Sequence, residues 1–190
     1  MNSEEKALIQ KAQKGDIGAF ETLVKKHEGK VLSLLFQMLG NTEDAEDVYQ
    51  EAFMKVYSNI EHFRFQSDFF TWVYRIAFRC AIDYRKKRNV YPVASYNEHD
   101  PADSGWLKVV ANPDTSPLDA AIDQEIRQQI QWTMDSLPVT QRIVFFLRFI
   151  EDLKIKDIAE IIGCSQGTVK NCLFRSTEKA RIRLSAYLSP

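Results

Sequence analysis

Ile155-Lys-Asp-Ile-Ala159-Glu-Ile-Ile-Gly163-Cys-Ser165-Gln-Gly-Thr-Val169-Lys-Asn-Cys-Leu173-Phe-Arg175 is the stretch whose spacing decides the fold. Its apolar residues predict two helices, Ile155–Ile162 and Ser165 to about Leu184, broken at Gly163 and restarted by a Ser165 cap. Ala159 stands where the helices would cross and a larger side chain would clash. Gly163 follows four residues later in the turn, and Val169 and Leu173 anchor the second helix on the first. That order of small residue, glycine and apolar anchors is the spacing of a helix-turn-helix. Thr168, Lys170, Asn171, Phe174 and Arg175 then point away from the anchors as candidates to enter a major groove, with Arg suited to guanine and Asn to adenine. An ordinary helical hairpin with a solvated outer face meets the same spacing.

Upstream, Ser116-Pro117-Leu118-Asp119 combines a cap, a first-turn proline and an acid, which predicts a helix to about Leu137. Leu137-Pro138 turns the chain into a compact apolar helix, Val139–Ile150. Residues 89–117 lose periodicity and carry Pro92, Pro101, Pro113 and Pro117, four acids and one base, Lys108. They read as a weakly acidic, extended, flexible linker. The nearest thing to a strand is Val90–Ala94, which is short and contains Pro92.

The first 88 residues read as helices throughout. Ser3 caps one that runs to Lys14 and stops at Gly15. Asp16 caps a second, with Phe20, Leu23, Val24, His27, Val31, Leu34, Leu35 and Met38 apolar-facing, which Gly40 ends. Thr42 caps a third, whose early acids suit the helix dipole and whose Ala45, Val48, Tyr49, Ala52, Phe53, Val56, Tyr57 and Ile60 bury one face. After a break at Glu61–Gln66, Ser67 or Asp68 caps a fourth to about Arg88, with Phe69, Val73, Ile76, Ala77, Cys80 and Tyr84 toward the core. The expected architecture is all-α: two small helical domains, 1–88 and 118–190, joined by the linker 89–117.

Composition agrees. At 190 residues with 45% hydrophobic, 27% charged, 7 Gly and 6 Pro, the chain excludes collagen-like and wholly disordered classes. No apolar run approaches the roughly 20 residues that cross a bilayer, and the charged start is unlike a signal peptide, so a cytoplasmic protein without membrane insertion is expected. Cys80, Cys164 and Cys172 form no CxxC pair and have no His at zinc spacing, so neither disulfide nor metal nor other cofactor is expected.

The net charge of −1 argues against a free nucleic-acid binder until its distribution is considered. Residues 41–51 hold Glu43, Asp44, Glu46, Asp47 and Glu51 without a base, whereas residues 75–88 hold six bases against Asp83. In the fourth helix Trp72, Tyr74, Arg75, Phe78, Arg79, Tyr84 and Arg85 interleave rings and cations. That mixture suits unpaired DNA, although rings at helical spacing also build cores, and part of Tyr74 and Phe78 is expected to be packing. The acids of the third helix have no His partner and lie on a flat face, so they read either as a solvated helix surface or as a docking surface for a basic protein. No catalytic residue is expected, His27, His62 and His99 being scattered.

Three stretches in this order resemble the extracytoplasmic-function class of bacterial sigma factors. Gly15-Asp-Ile-Gly-Ala-Phe20-Glu-Thr-Leu-Val24 with Leu39-Gly-Asn-Thr-Glu-Asp-Ala-Glu-Asp-Val48-Tyr-Gln-Glu-Ala-Phe53 is similar to the family's polymerase-binding segment. Phe63-Arg-Phe-Gln-Ser67 with Phe70-Thr-Trp-Val-Tyr-Arg-Ile-Ala77 is similar to its promoter-melting loop and helix. Leu137-Pro138, Ile158-Ala-Glu-Ile-Ile-Gly163 and Gly167-Thr-Val-Lys170 are similar to its C-terminal domain.

The resemblance implies that Asp44, Asp47, Gln50 and Glu51 dock on the clamp helices of the largest subunit of core RNA polymerase, with the flap as a further contact. It implies that Phe63, Arg64, Phe65, Gln66, Ser67, Trp72, Arg75 and Arg79 meet the minus-ten element, with a base flipped from the non-template strand. It implies that Ser165, Thr168, Lys170, Asn171, Phe174 and Arg175 meet the minus-thirty-five duplex. Sites two helical turns apart lie about 70 Å from each other, and a 29-residue linker extended at ~3.3 Å per residue reaches about 95 Å. The family's linker threads the template and RNA path of the polymerase, and a cognate anti-sigma factor, sometimes membrane-anchored, commonly holds members inactive. A protein that works attached to polymerase need not hold DNA alone, which suits the near-neutral charge.

Where the family commonly has Gly and an acid after Phe-Arg, this chain has Phe65 and Gln66. Cys172 and Thr177 stand where Arg is frequent, and a thiol in the reading helix raises the idea of a redox sensor. Two other functions fit parts of the sequence: an autonomous helix-turn-helix regulator acting at a palindromic site, and an enzyme using the third-helix carboxylates, which would need a metal and a cleft.

Overall fold

Helix ends are the most direct test of the capping residues, and the computed structural model describes residues 3–88 and 132–188. Helix α1, Ser3–Ala12, begins at Ser3 itself and ends two residues before Lys14. The chain then turns through Gly15 at φ +88°, which a side chain would strain. Asp16 has extended backbone and its carboxylate accepts from the Ala19 amide at 3.0 Å, starting α2, Ile17–Leu39. Gly40 at φ +72° closes α2, its amide donating to the Phe36 carbonyl at 2.8 Å.

The cap of α3, Thr42–Asn59, is Asn41, one residue earlier than Thr42. Its side-chain carbonyl accepts from the amides of Glu43 at 2.8 Å and Asp44 at 3.3 Å, so Thr42 becomes the first helical residue. A 3-10 turn, Ile60–His62, leads into the loop before α4, Phe69–Lys87, with Asp68 at the cap position.

In the C-terminal part residues 132–135 are helical, and α5 spans Val139–Phe149, α6 Ile155–Ile162 and α7 Gln166–Leu188. The last is about one turn longer than periodicity suggests. The linker and the start expected at Ser116 lie outside the described residues. Among those described, all regular structure is helical.

The chain divides into two compact units, centred on residues 3–88 and on residues 132–188. In the first, α2 packs on α1, α3 and α4, and α3 packs on α4. Leu23, Val31, Leu34, Leu35 and Met38 of α2 meet Val48, Ala52 and Val56 of α3 and Val73, Ala77 and Ala81 of α4 in one buried core. Each fully buried branched side chain contributes about 1.5–3 kcal/mol of transfer free energy.

Polar groups tie the same helices. The Tyr74 hydroxyl donates to the Lys30 carbonyl at 2.8 Å and Arg85 donates to the Met38 carbonyl at 2.7 Å. The second unit packs α7 on α5, with Ile143, Val144, Phe146, Leu147 and Val169 buried.

Candidate nucleic-acid interface

The turn between α6 and α7 is built as its residues suggest. Ala159 is buried, Gly163 takes φ +76°, and the Cys164 amide donates to the Ala159 carbonyl at 3.0 Å. Ser165 then caps α7, its hydroxyl accepting from the Thr168 amide at 3.1 Å. Val169 is wholly buried and Leu173 half-buried, so one side of α7 is committed to packing. Ser165, Thr168, Lys170, Asn171, Phe174 and Arg175 are all exposed, and the Phe174 ring is 66% accessible. A helix presenting one ammonium, one guanidinium, one amide and two hydroxyls beside an exposed ring can donate to phosphates and base edges at once.

The loop before α4 has different chemistry. Gln13 reaches from the end of α1 and its amide donates to the carbonyls of Ile60 at 3.0 Å and Phe63 at 2.9 Å, fixing the loop's entry. Phe63 is buried at the centre of a ring cluster, with centroids 5.0 Å from Phe65, 5.5 Å from Phe69 and 5.2 Å from Trp72. Arg64 and Gln66 are exposed, Ser67, Phe65 and Trp72 half-buried.

Along α4 the interleaved set separates by burial. Tyr74 and Phe78 are core, and Arg85 is spent on the end of α2, where burial lowers its pKa. Tyr84 faces the start of α3 rather than the core: its hydroxyl donates to Asp44 at 2.6 Å, a bond that with burial and the same carboxylate raises its pKa. Ile76 is also only half-buried. Arg79 is exposed, and Arg75 and Trp72 are half-buried.

On α3 the four expected docking residues are not equivalent. Asp44 receives Tyr84 and pairs with Arg88 at 3.1 Å. Glu51 pairs with Lys55 at 2.7 Å, and that bond lowers its pKa. Asp47 and Gln50 are exposed, and the helical period places Met54, 71% accessible, on the same stripe. Sequence reading missed Met54, although the signal was present: a large apolar residue set off from the buried stripe of its helix.

The Sigma-70 region 2 family profile matches residues 23–90, and the Sigma-70 region 4 profile residues 127–179. The chain is 36% identical to the ECF RNA polymerase sigma factor SigW of Bacillus subtilis over 180 residues, covering 94% of this chain and 96% of that one. It belongs to the extracytoplasmic-function sigma factors. The ECF RNA polymerase sigma-E factor of Escherichia coli K12 is also 36% identical, covering 92% of this chain and 91% of that one.

Among solved structures, CnrH in complex with the cytosolic domain of CnrY shares the fold at TM-score 0.62 and 22% identity, covering 96% of this chain and 97% of that chain. The sigma factor RpoE in complex with the anti-sigma factor NepR, from Bartonella quintana, does so at 0.63 and 18%, covering 87% and 96%.

As a sigma factor the chain directs promoter-specific initiation, which is specificity rather than catalysis. Among the described residues no helix is long and apolar enough to cross a membrane, and no three His, Cys, Asp or Glu are placed to hold a metal ion. Burial pushes the Cys172 thiol up, with Arg175 opposing, away from the thiolate that a redox sensor needs.

Proposed function

We propose that this sigma factor divides its promoter recognition between its two units. Residues 1–88 bind core RNA polymerase and the melted minus-ten element, residues 118–190 read the minus-thirty-five duplex, and residues 89–117 join them. One observation carries the reading: a single chain holds two outward surfaces of different chemistry. The rings of the loop at Phe63–Ser67 suit unpaired bases, and the donor-rich face of α7 suits a duplex groove.

In the first unit Arg64, Phe65, Gln66, Ser67, Trp72, Arg75 and Arg79 hold the separated non-template strand with one base flipped, while Phe63, expected from the sequence to touch DNA, is buried and supports the loop from beneath. Flipping costs a few kcal/mol of stacking, offset by aromatic contact and by cation neutralisation of phosphate. No nucleotide hydrolysis enters, because binding to the separated strand drives opening. Asp47 and Gln50, flanked by Met54, form the exposed part of the surface for the clamp helices. Asp44 and Glu51 act there mainly by holding that face in shape through Tyr84, Arg88 and Lys55.

In the second unit Lys170 and Arg175 supply cations, and Ser165, Thr168, Asn171 and Phe174 meet base edges and sugar. An anti-sigma factor that covers the polymerase-binding surfaces keeps the chain inactive in the cytoplasm, a reading supported by the fold shared with RpoE, which is bound to the anti-sigma factor NepR in its complex.

Run-off transcription on a genomic promoter pool, with purified core polymerase and with or without the protein, tests this reading. New start sites preceded by two shared, spaced elements are expected. Silence, together with failure to co-elute with core at low salt, would refute it and return weight to an autonomous regulator.

A further inference from the structure

Gln13 follows the last residue of α1, and helical periodicity gives its side chain no task. Its backbone amide donates to the Ile9 carbonyl at 2.9 Å, so the residue is carried by a helix whose Ile9 and Ala12 are buried. The side-chain amide has two hydrogens and donates to backbone acceptors 47 and 50 residues further along, the carbonyls of Ile60 at 3.0 Å and Phe63 at 2.9 Å. One nitrogen thereby fixes the spacing of two peptide groups across the 3-10 turn that leads into the loop.

The loop beyond that turn needs holding. Phe65 has φ +57°, where a Cβ crowds the neighbouring carbonyl oxygen, and a bulky residue keeps such a conformation only when its surroundings impose it. Phe63 supplies part of that constraint by burying its ring against Phe65, Phe69 and Trp72, and its carbonyl is the one Gln13 holds. Lys6, two helical turns before Gln13, places its ammonium 5.8 Å from the centre of the Phe65 ring, so the α1 segment meets the loop at two points. Gln13 is half-buried and its amide hydrogens are committed to these carbonyls, which makes it a determinant of the loop's shape rather than a contact for a ligand.

We infer that Gln13 is a positioning residue for the melted-strand site: from the end of α1 it splints the loop at Phe63–Ser67 in its binding shape before DNA arrives. The inference rests on the reading that this loop holds melted DNA. Preorganisation has a kinetic signature. When only a fraction of the loop population has the competent shape, apparent affinity falls by that fraction, and the loss lies in association because a bound complex keeps its contacts.

The test uses the full chain bound to core polymerase and a fluorescent single-stranded oligonucleotide carrying the minus-ten sequence of a mapped promoter, followed by stopped-flow anisotropy. Gln13→Met keeps the length of the side chain without its donors. Gln13→Asn keeps an amide that falls one methylene short of both carbonyls. Thermal melts are recorded for each variant, and strand binding and affinity for core polymerase are measured well below them.

Both variants should bind the oligonucleotide about tenfold more weakly. Association should slow by that factor, with dissociation and core affinity unchanged. Wild-type strand affinity in both variants would overturn the inference. So would a loss carried by faster dissociation, the usual behaviour of a residue that touches its partner, or one matched by an equal loss of core affinity, as general loosening of the unit predicts. Failure of the wild-type holoenzyme to bind the oligonucleotide at all would refute the melted-strand reading itself, and the role of Gln13 with it.

Discussion

Arg85 lies in the basic, ring-rich segment that composition assigns to DNA, yet its guanidinium donates to the Met38 carbonyl at 2.7 Å. Met38 is in the last turn of α2, where carbonyls lack helical partners, so Arg85 satisfies a group that would otherwise be orphaned. Replacing Arg85 with Ala removes one charge-assisted bond and leaves that carbonyl short of a partner. A hydrogen bond to a charged group is worth about 1.5–3 kcal/mol, and because the side chain is only partly buried we take about 1.5.

For a helical unit of this size each kcal/mol shifts the melting temperature by about 4–8 °C, so a fall of about 6–12 °C is expected. The assay is a circular-dichroism melt of Arg85→Ala beside Arg79→Ala, with single-stranded minus-ten affinity of each variant measured in holoenzyme well below the melt. Arg85→Ala should lower the melt and leave affinity unchanged, and exposed Arg79→Ala should do the reverse. An Arg85→Ala protein with an unaltered melt and weakened strand binding would show that the side chain reaches DNA, and would sink the reasoning.

Three further outcomes follow from particular contacts. Asp16→Ala deletes the acceptor of the Ala19 amide and should cost about 1 kcal/mol in urea denaturation, with most of it kept by Asp16→Ser. Lys170→Ala should reduce the salt dependence of minus-thirty-five binding by about one counterion across all sequences, whereas Asn171→Ala should relax preference at a single base pair, both read by fluorescence anisotropy in holoenzyme.

His27 is buried against the rings of Phe69 and Phe70, facing Glu5 at 3.2 Å with Lys26 and Lys30 nearby, and its pKa lies below 6.5, chiefly because burial disfavours the cation. The unfolded chain therefore takes up that proton before the folded one does. Its contribution is complete above pH 6.5 and is lost as pH falls below that value. Urea denaturation at successive pH values should show this loss in wild type and a reduced one in His27→Gln. Equal pH dependence in both proteins would count against the assignment.

Much of the fold was legible because its signals are local. Asp16, Gly40, Gly163 and Ser165 start or stop helices through bonds spanning a few residues, and they do so in the structure at the positions where they were read. The exposed face of α7 was legible for the same reason: once Val169 is buried, the helical period alone turns Lys170, Asn171, Phe174 and Arg175 outward. The cap of α3 slipped from Thr42 to Asn41 because both residue types cap helices and only the backbone decides which stays extended.

What the amino-acid order determined by itself was the class of the molecule, helix after helix with a helix-turn-helix near the end, since periodicity and capping depend only on neighbours along the chain. Tertiary structure alone decided which of several chemically equivalent side chains are available. It took Arg85 for α2 and Tyr84 for Asp44, tied Asp44 and Glu51 to cations, left Asp47, Gln50 and Met54 outside, and pressed Phe65 into a conformation that glycine would prefer. The physical reason is that burial and pairing are set by residues tens of positions away, such as Gln13 on Phe63 and Arg85 on Met38, whose approach no local pattern encodes.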